Sequence, residues 1–144
     1  MTTDNHERNI KAELKLQLEK NLPFSLLKKE SLESWIQESK LIKFKPGERI
    51  INHDDVNKYI YIVVKGNVRL IMNDETGDGL FTLDKRGPGQ ILGWTNLLRG
   101  ASTEFVQASS ETIALALSSK NFIIYYRENK SFASYFNSLT NIQE

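Results

Sequence analysis

The sequence predicts a mainly β domain with flanking helices, in which short antiparallel strands close into a barrel or roll. Apolar residues recur at helical spacing near both ends of the chain, and the middle is rich in short β-branched and aromatic runs separated by glycine, proline and polar turns. The 144 residues are enough to bury one core. We therefore expect one domain in three segments: N-terminal helices at residues 1–40, a β-roll at 41–117 and C-terminal helices at 118–144.

The composition excludes several functions before any motif is considered. The chain has 19 basic and 18 acidic residues, and its net charge of +1 gives no excess of positive charge that would favour nucleic-acid binding. It has no cysteine, which excludes disulfides and thiolate chemistry. No apolar run reaches the roughly 20 residues that a membrane helix needs, and the N-terminus lacks the apolar core of a signal peptide. We expect a cytoplasmic segment that contacts neither nucleic acid nor a membrane.

Two amphipathic helices are predicted at the N-terminus. In residues 7–20, Ile10, Leu14 and Leu18 recur every four positions among charged residues, and the sequence NLP then interrupts the helix. We interpret this apolar stripe, and that of the next helix, as packing faces against the body of the domain. The second helical stretch covers residues 24–39, and its apolar positions are Leu27, Leu32, Trp35 and Ile36.

The middle of the chain predicts a series of short strands. Residues 59–64 (YIYIVV) are β-branched or aromatic throughout, which predicts a central strand. Pro46, Gly47 and Gly66 mark turns, and residues 73–79 form a polar hairpin tip. Strands this short, separated by turns at this spacing, favour a sheet that closes on itself and protects its edges. The other strands are predicted at residues 41–44, 49–52, 68–72, 80–83, 105–108 and 112–117.

A closing helix is predicted after Ser118 or Ser119, either of which is a good N-cap. A further apolar stripe follows Asn129, with members at positions i, i+3, i+4 and i+7. This stripe either covers the roll or pairs with a second subunit or an adjacent domain, and both interpretations stay open. The closing helix has Phe122, Ile123 and Tyr126 on its apolar face. The stripe that follows Asn129 consists of Phe132, Tyr135, Phe136 and Leu139.

Catalytic groups do not cluster in this sequence. His6 and His53 stand alone, and His53 with Asp54 and Asp55 is interpreted as a solvated turn, because three consecutive residues rarely converge on one metal ion. No serine-hydrolase, zinc-protease or P-loop motif is present. We therefore predict no enzymatic activity and no metal site.

The most informative stretch is residues 87–100 (GPGQILGWTNLLRG). Its glycines allow tight turns and close approach of the backbone, and they precede one short helical segment. The start of a helix presents unpaired amide hydrogens and a positive dipole end, which together hold an anion. From these residues alone, an anion site and a structural corner are both open.

Residues 44–50 (FKPGERI) and 59–68 (YIYIVVKGNV) resemble the opening strands of cyclic-nucleotide-binding domains, and residues 89–93 (GQILG) continue into a segment similar to that family's phosphate-binding cassette. On this resemblance, which extends over nearly the whole chain, the protein is identified as a divergent member of the superfamily found in catabolite-activator-type regulators, cyclic-nucleotide-dependent kinases and gated channels. The resemblance implies a double-stranded β-helix, that is, a jelly-roll-like β-roll, with the cassette at residues 87–104.

The same resemblance implies where a ligand binds. Members that bind cyclic nucleotides have a glutamate directly after the cassette glycine, which contacts the ribose, and an arginine a few residues on, which pairs with the cyclic phosphate. The aligned positions here are Trp94 and Ser102, or Thr103 if the gap moves by one. Loss of such a guanidinium clamp weakens phosphate binding by roughly 10²–10⁴-fold, so cyclic AMP and cyclic GMP are disfavoured and another small anionic ligand remains the candidate. The implied ligand-binding residues are Gly93, Trp94, Thr95, Asn96, Arg99, Ser102 and Thr103.

A narrower similarity concerns residues 93–100 (GWTNLLRG) and 104–109 (EFVQAS), which resemble the divergent domain preceding some cyanobacterial peptide or toxin exporters of the ATP-binding-cassette type. It implies regulation of an attached transporter at the cytosolic face of the membrane. We accordingly predict a non-catalytic regulatory sensor with degenerate or altered ligand specificity, and its C-terminal helix is the candidate contact for a second copy or an adjacent domain. Two alternatives stay open: the effector domain of a transcription regulator, and a ligand-free docking domain in which Trp94 fills the pocket.

Overall fold

The structure is a computed structural model that describes residues 2–52, 58–73, 80–99 and 104–142. The chain divides into two compact units, Met1–Ser39 with Lys120–Glu144, and Lys40–Ser119, which are named the helical unit and the β unit. These divisions lie within two residues of the segment boundaries predicted from the sequence. The expectation that all segments form one domain stays a prediction. Only the backbone is described at residues 2–4, 73, 80, 81, 83, 96, 99, 104 and 140–142.

Each strand predicted from the sequence has a counterpart in the structure. Strand β6 has no predicted counterpart, because two residues are too few to show a period. The helical elements are α1 (Thr2–Leu18), a 3-10 turn (Phe24–Leu26), α2 (Lys29–Glu38), α3 (Trp94–Arg99), α4 (Ser119–Glu128) and α5 (Lys130–Ile142). The strands are β1 (Lys40–Phe44), β2 (Arg49–Ile51), β3 (Tyr59–Lys65), β4 (Val68–Asn73), β5 (Leu80–Arg86), β6 (Ile91–Leu92), β7 (Glu104–Ala108) and β8 (Thr112–Ser118).

The β unit consists of two antiparallel four-stranded sheets, with strand orders β1-β8-β3-β6 and β2-β7-β4-β5. Alternate residues of both sheets, among them Tyr61 and Val63 of the first and Val68 and Val106 of the second, meet in one apolar core. Most neighbouring strands in these sheets are distant in the chain, which is the connectivity of a jelly roll rather than of a meander. The predicted fold, a mainly β chain with flanking helices and a jelly-roll-like β-roll, is confirmed.

The turn between β3 and β4 depends on Gly66. Its φ is +98°, and a Cβ atom there would lie 2.4 Å from the carbonyl oxygen of Glu111 and 2.8 Å from the Cα atom of Thr112. The next residue, Asn67, accepts a hydrogen bond from the backbone N–H of Ser109 at 2.9 Å. The loop between β7 and β8 therefore lies directly on this turn, and a side chain at position 66 has no room.

Trp35 occupies the centre of the helical unit's core. Its side chain is fully buried, and four aromatic rings surround it with centroid distances of 5.5–5.8 Å. Aromatic pairs at such distances are favourable in edge-on or offset-stacked geometry. The rings of Phe24, Phe122 and Phe132 are edge-on to the indole, and the ring of Tyr125 is stacked on it.

The predicted C-terminal stripe also packs inside the helical unit. Phe132 and Phe136 are fully buried with ring centroids 4.9 Å apart, and both rings contact Phe122. The surfaces expected for this stripe were the roll or a partner. For Phe132 and Phe136 the structure shows rings of the same unit, because Trp35 and Phe122, which are distant in the chain, form an aromatic site there. A partner on the remaining surface of α5 stays a prediction.

Asn129, between α4 and α5, connects two helices, α2 and α4, through one buried amide. Its Nδ2 donates to the carbonyl oxygen of Tyr125 at 2.9 Å and to Oγ of Ser31 at 3.3 Å. Its Oδ1 accepts from the backbone N–H of Lys28 at 2.9 Å, at the start of α2. The backbone N–H of Lys28 lies at the start of α2, where donors need partners from outside the helix, and the Asn129 amide supplies one.

Tyr125 of α4 gives the helical unit a predicted loss of stability at alkaline pH. Its hydroxyl donates to Oε2 of Glu38 at 3.0 Å, and burial, reinforced by this carboxylate, raises the pKa of Tyr125 to about 12. Since the pKa in the unfolded chain is about 10, the stabilisation is fully present below pH 10 and is lost as the pH rises toward 12. We expect Tyr125→Phe to flatten the decline of the unfolding free energy between about pH 10 and 12, measured by urea unfolding.

A matched control is Tyr135→Phe, because the Tyr135 hydroxyl has no hydrogen-bond partner among the residues that the structure describes. This variant should keep the alkaline decline of the original protein. If the unfolding free energy of the original protein and that of Tyr125→Phe fall equally between about pH 10 and 12, Tyr125 is not the cause of the alkaline decline.

Candidate ligand-binding cassette

The cassette is joined to the roll by the short strand β6. Leu92 is in register with Tyr61 of β3, and Ile91 is in register with Ile62. Leu92 is buried in the core of the β unit, with 3% of its surface exposed. The segment before α3 is therefore held on the first sheet by one ladder and one apolar anchor.

The corner before β6 is a glycine turn with Gly89 at a φ of +86°. The backbone N–H of Gln90 donates to the carbonyl oxygen of Gly87 at 3.2 Å, and Pro88 and Gly89 occupy the two central positions that suit a type II turn. The Gln90 side chain closes the corner, since its Oε1 accepts from the backbone N–H of Gly87 at 2.7 Å. Gly89 N–H also donates to the carbonyl oxygen of Val63 at 2.7 Å, which fixes the corner on β3.

A second glycine corner leads into α3. Gly93 has a φ of +95°, a conformation that disfavours any side chain, and its carbonyl oxygen accepts from the backbone N–H of Leu97 at 3.4 Å. Trp94 is the first residue of α3, and Trp94 and Thr95 are both half-buried. The structure thus places Gly93, Trp94 and Thr95 together at the point where the chain turns from β6 into the helix.

The other predicted ligand-binding residues are less completely placed. Asn96 and Arg99 belong to α3, with only their backbone described. Ser102 and Thr103 lie outside the described residues, as do His53, Asp54 and Asp55 of the predicted solvated turn. The roles assigned to all seven cassette residues stay predictions.

Tyr61 is a candidate ligand-contacting residue that the sequence reasoning missed. It stands in register with Leu92 on one side and with Ala116 of β8 on the other, so it lies beside the cassette. Only 9% of its surface is exposed, and burial, followed by the neighbouring Tyr59, raises the pKa of its phenol. The ammonium of Lys40 lies 5.2 Å from the centroid of the Tyr59 ring. The alternation in residues 59–64, which puts both tyrosines on the core face, is the signal that could have found them.

Across the residues that the structure describes, no group of three or more His, Cys, Asp or Glu side chains is placed to hold a metal ion. No helix within the described ranges is both long and apolar enough to cross a bilayer.

Comparison with known families agrees with this geometry. The model of the family described as "Cyclic nucleotide-binding domain" matches residues 41–129, which is more than half of the chain. The chain belongs to the cyclic nucleotide-binding domain family, a family of regulatory domains. A comparison with curated proteins finds no significant match to this chain.

Solved structures share the fold. The sensor domain of the transcriptional regulator DNR from Pseudomonas aeruginosa matches with a TM-score of 0.79 at 13% identity, over 92% of this chain and 89% of that one. The Thermus thermophilus catabolite activator protein matches with a TM-score of 0.69 at 24% identity, over 81% of this chain and 55% of that one. A regulatory subunit of a cAMP-independent protein kinase A from Trypanosoma cruzi, bound to guanosine, matches with a TM-score of 0.69 at 19% identity, over 91% of this chain and 52% of that one.

These identities establish the fold alone. The chain spans about half the length of the Thermus and Trypanosoma proteins that it matches. The activity and partners of such whole proteins therefore come to this chain only as proposals.

Proposed function

We propose that this chain is a non-catalytic regulatory sensor whose ligand specificity differs from that of ordinary cyclic-AMP and cyclic-GMP receptors. Trp94 carries the proposal, because it follows the Gly93 corner directly and begins α3 with a half-buried side chain. The family resemblance implies a glutamate at this position in receptors that bind the ribose. An indole has a single N–H donor and no acceptor, so it cannot accept hydrogen bonds from ribose hydroxyls as a carboxylate does.

The aligned arginine position supports the same proposal from the sequence. Ser102, or Thr103, offers a hydroxyl where the resemblance implies a guanidinium, and a hydroxyl carries no charge to pair with a cyclic phosphate. The trypanosomal regulatory subunit of the same fold is described as cAMP-independent and bound to guanosine. A nucleoside without phosphate, stacked on the indole of Trp94, is therefore the first ligand class to test for this chain. A small anion is the second.

The deciding experiment is calorimetry with cyclic AMP and cyclic GMP, beside a thermal-shift screen of nucleosides and small anions. We expect no cyclic-AMP binding to the original protein in the micromolar range. Trp94→Glu combined with Ser102→Arg should restore the carboxylate and the guanidinium and strengthen cyclic-AMP binding by about a hundredfold.

The matched control is Trp94→Phe combined with Ser102→Thr, which changes the same positions without adding a charge. It should leave cyclic-AMP binding as weak as in the original protein. Micromolar binding of cyclic AMP to the original protein would refute the proposal. A complete absence of ligands in the screen would favour the ligand-free docking domain.

We further propose that the domain transmits its ligand state to an attached protein, and that this protein is an ATP-binding-cassette exporter. The resemblance of residues 93–100 to the domain preceding such exporters supports this assignment. The match to the DNR sensor domain, which covers 89% of that chain, favours a second candidate, the sensor of a transcription regulator. ATPase and DNA-binding assays on the natural full-length protein, with and without the ligand found in the screen, distinguish the two.

A further inference from the structure

A row of polar side chains crosses the outer face of the sheet β2-β7-β4-β5, one from each strand. The register pairs Arg49 of β2 with Gln107 of β7, Gln107 with Arg69 of β4, and Arg69 with Lys85 of β5. The chain neighbours of Arg69 and Gln107 belong to the core or pack against it, so alternation directs the row to the opposite face. These four residues are named the basic row.

Arg69 lacks a counter-ion within the described part of the chain. Its side chain is half-buried, and its Nε atom is buried with no hydrogen-bond partner. Lys85 beside it is exposed and has no ion pair among the described residues. Asp84, the chain neighbour of Lys85, is already paired with Arg86, whose hydrogen bond holds the pKa of Asp84 below its usual range. A buried N–H without an acceptor is costly, and the Nε–H of Arg69 is such a group, so this part of the row is suited to an anion from outside.

Arg49, at the other end of the row, is held in place by an aromatic ring. Its guanidinium carbon lies 3.9 Å from the centroid of the buried Phe105 ring. Stacking of this kind orders the side chain and leaves the N–H edge of the guanidinium available to an acceptor. The hydrogen bond that Arg49 donates to Oδ1 of Asn52 is long, at 3.4 Å. The row therefore presents two guanidinium groups and one ammonium along a line.

We propose that the basic row docks an acidic segment of a partner polypeptide. With strands about 4.8 Å apart, the row is about 15 Å long, which equals four or five residues of an extended chain. Three cations are fewer than the about six to ten phosphate contacts of a protein whose nucleic-acid binding is strongly salt-dependent. They also fall below the clusters of about four to eight basic residues that bind anionic membranes. Alternate carboxylates of an extended segment point to one side and match a linear set of cations.

This proposal does not depend on the ligand of the cassette, and a peptide probe tests it. A fluorescein-labelled peptide of alternating glutamate and serine is titrated with the full chain at low ionic strength, and binding is followed by fluorescence anisotropy. We expect the original protein to bind the peptide, and Arg69→Gln combined with Lys85→Gln to weaken the affinity by about tenfold or more. Lys85→Gln alone, at an exposed position, should weaken the affinity for the peptide by about threefold. This single variant keeps the test decisive if the double variant fails to fold.

The matched control is Lys43→Gln combined with Lys65→Gln, which removes two exposed lysines from strands of the other sheet. It should change the affinity by less than about twofold. Equal weakening by both pairs, or no binding of the peptide at all, overturns the proposal. So does a preference for single-stranded RNA or phosphatidylserine vesicles over the peptide. Self-association that is lost in the Arg69→Gln and Lys85→Gln variant, measured by sedimentation, assigns the row to a second copy and also overturns it.

Discussion

Gly66→Ala is expected to lower the free energy of unfolding by about 3–5 kcal/mol. The residue has a φ of +98°, which disfavours every L side chain, and this conformational cost accounts for about 1–2 kcal/mol of the loss. The larger part comes from the new Cβ atom, which would lie 2.4 Å from the carbonyl oxygen of Glu111. Backbone atoms, unlike a flexible side chain, cannot move away cheaply, so the β3–β4 turn or the β7–β8 loop must shift. Urea unfolding followed by circular dichroism measures the effect.

Gly47→Ala is the matched control for this prediction. Gly47 also has a positive φ, +85°, but a Cβ atom there would meet only the side-chain Nε2 of Gln107 at 3.8 Å, an ordinary contact. The loss should therefore be about 1–2 kcal/mol, the conformational cost alone. Similar losses at the two glycines would show that the close approach of the β7–β8 loop to Gly66 is not the cause.

Asn129→Ala is expected to destabilise the helical unit by about 3 kcal/mol. The substitution removes three hydrogen bonds at once and leaves the backbone N–H of Lys28 without its partner, whereas the carbonyl of Tyr125 keeps its bond from the backbone N–H of residue 129. Because Asn129 is only 4% exposed, water cannot readily replace the lost amide. Chemical unfolding gives the size of the loss, and amide exchange at Lys28 should increase.

Asn21→Ala is the control for one exposed side-chain bond to the carbonyl four residues earlier. Asn21 Nδ2 donates to the carbonyl oxygen of Gln17 at 2.6 Å, four residues earlier, just as Asn129 does to Tyr125, but Asn21 is exposed. Its replacement should cost about 1 kcal/mol or less, since water can satisfy the freed carbonyl. A loss as large as that of Asn129→Ala would contradict the argument from burial.

The strands and turns could be predicted because their signals are local. Residues 59–64 are β-branched or aromatic throughout and form β3, and the glycine after them turns the chain as expected. The short helix after the cassette glycines could be predicted for the same reason, since Gly93 and α3 are consecutive in the chain. The ligand-binding roles of these residues stay predictions. The particular fold, by contrast, came from the family resemblance, because short strands alone are compatible with several closed sheets.

Features that join distant parts of the chain could not be predicted. No periodic pattern relates Arg49, Arg69 and Lys85, and only the register between four strands brings them into line. The helical pattern of α5 indicated correctly which residues are apolar. It did not indicate that the ring of Phe132 would pack against Trp35, which lies on a helix far earlier in the chain.

Strand β7 begins where the cassette ends, and its residues serve two surfaces in turn. Val106 and Ala108 belong to the interior of the roll, whereas Phe105 and Gln107 belong to the face that carries the three cations. Consecutive residues of β7 are not displaced independently, because the strand is paired with β2 on one side and β4 on the other. A tilt of this strand would therefore change the spacing of the charged side chains on the outer face of the sheet.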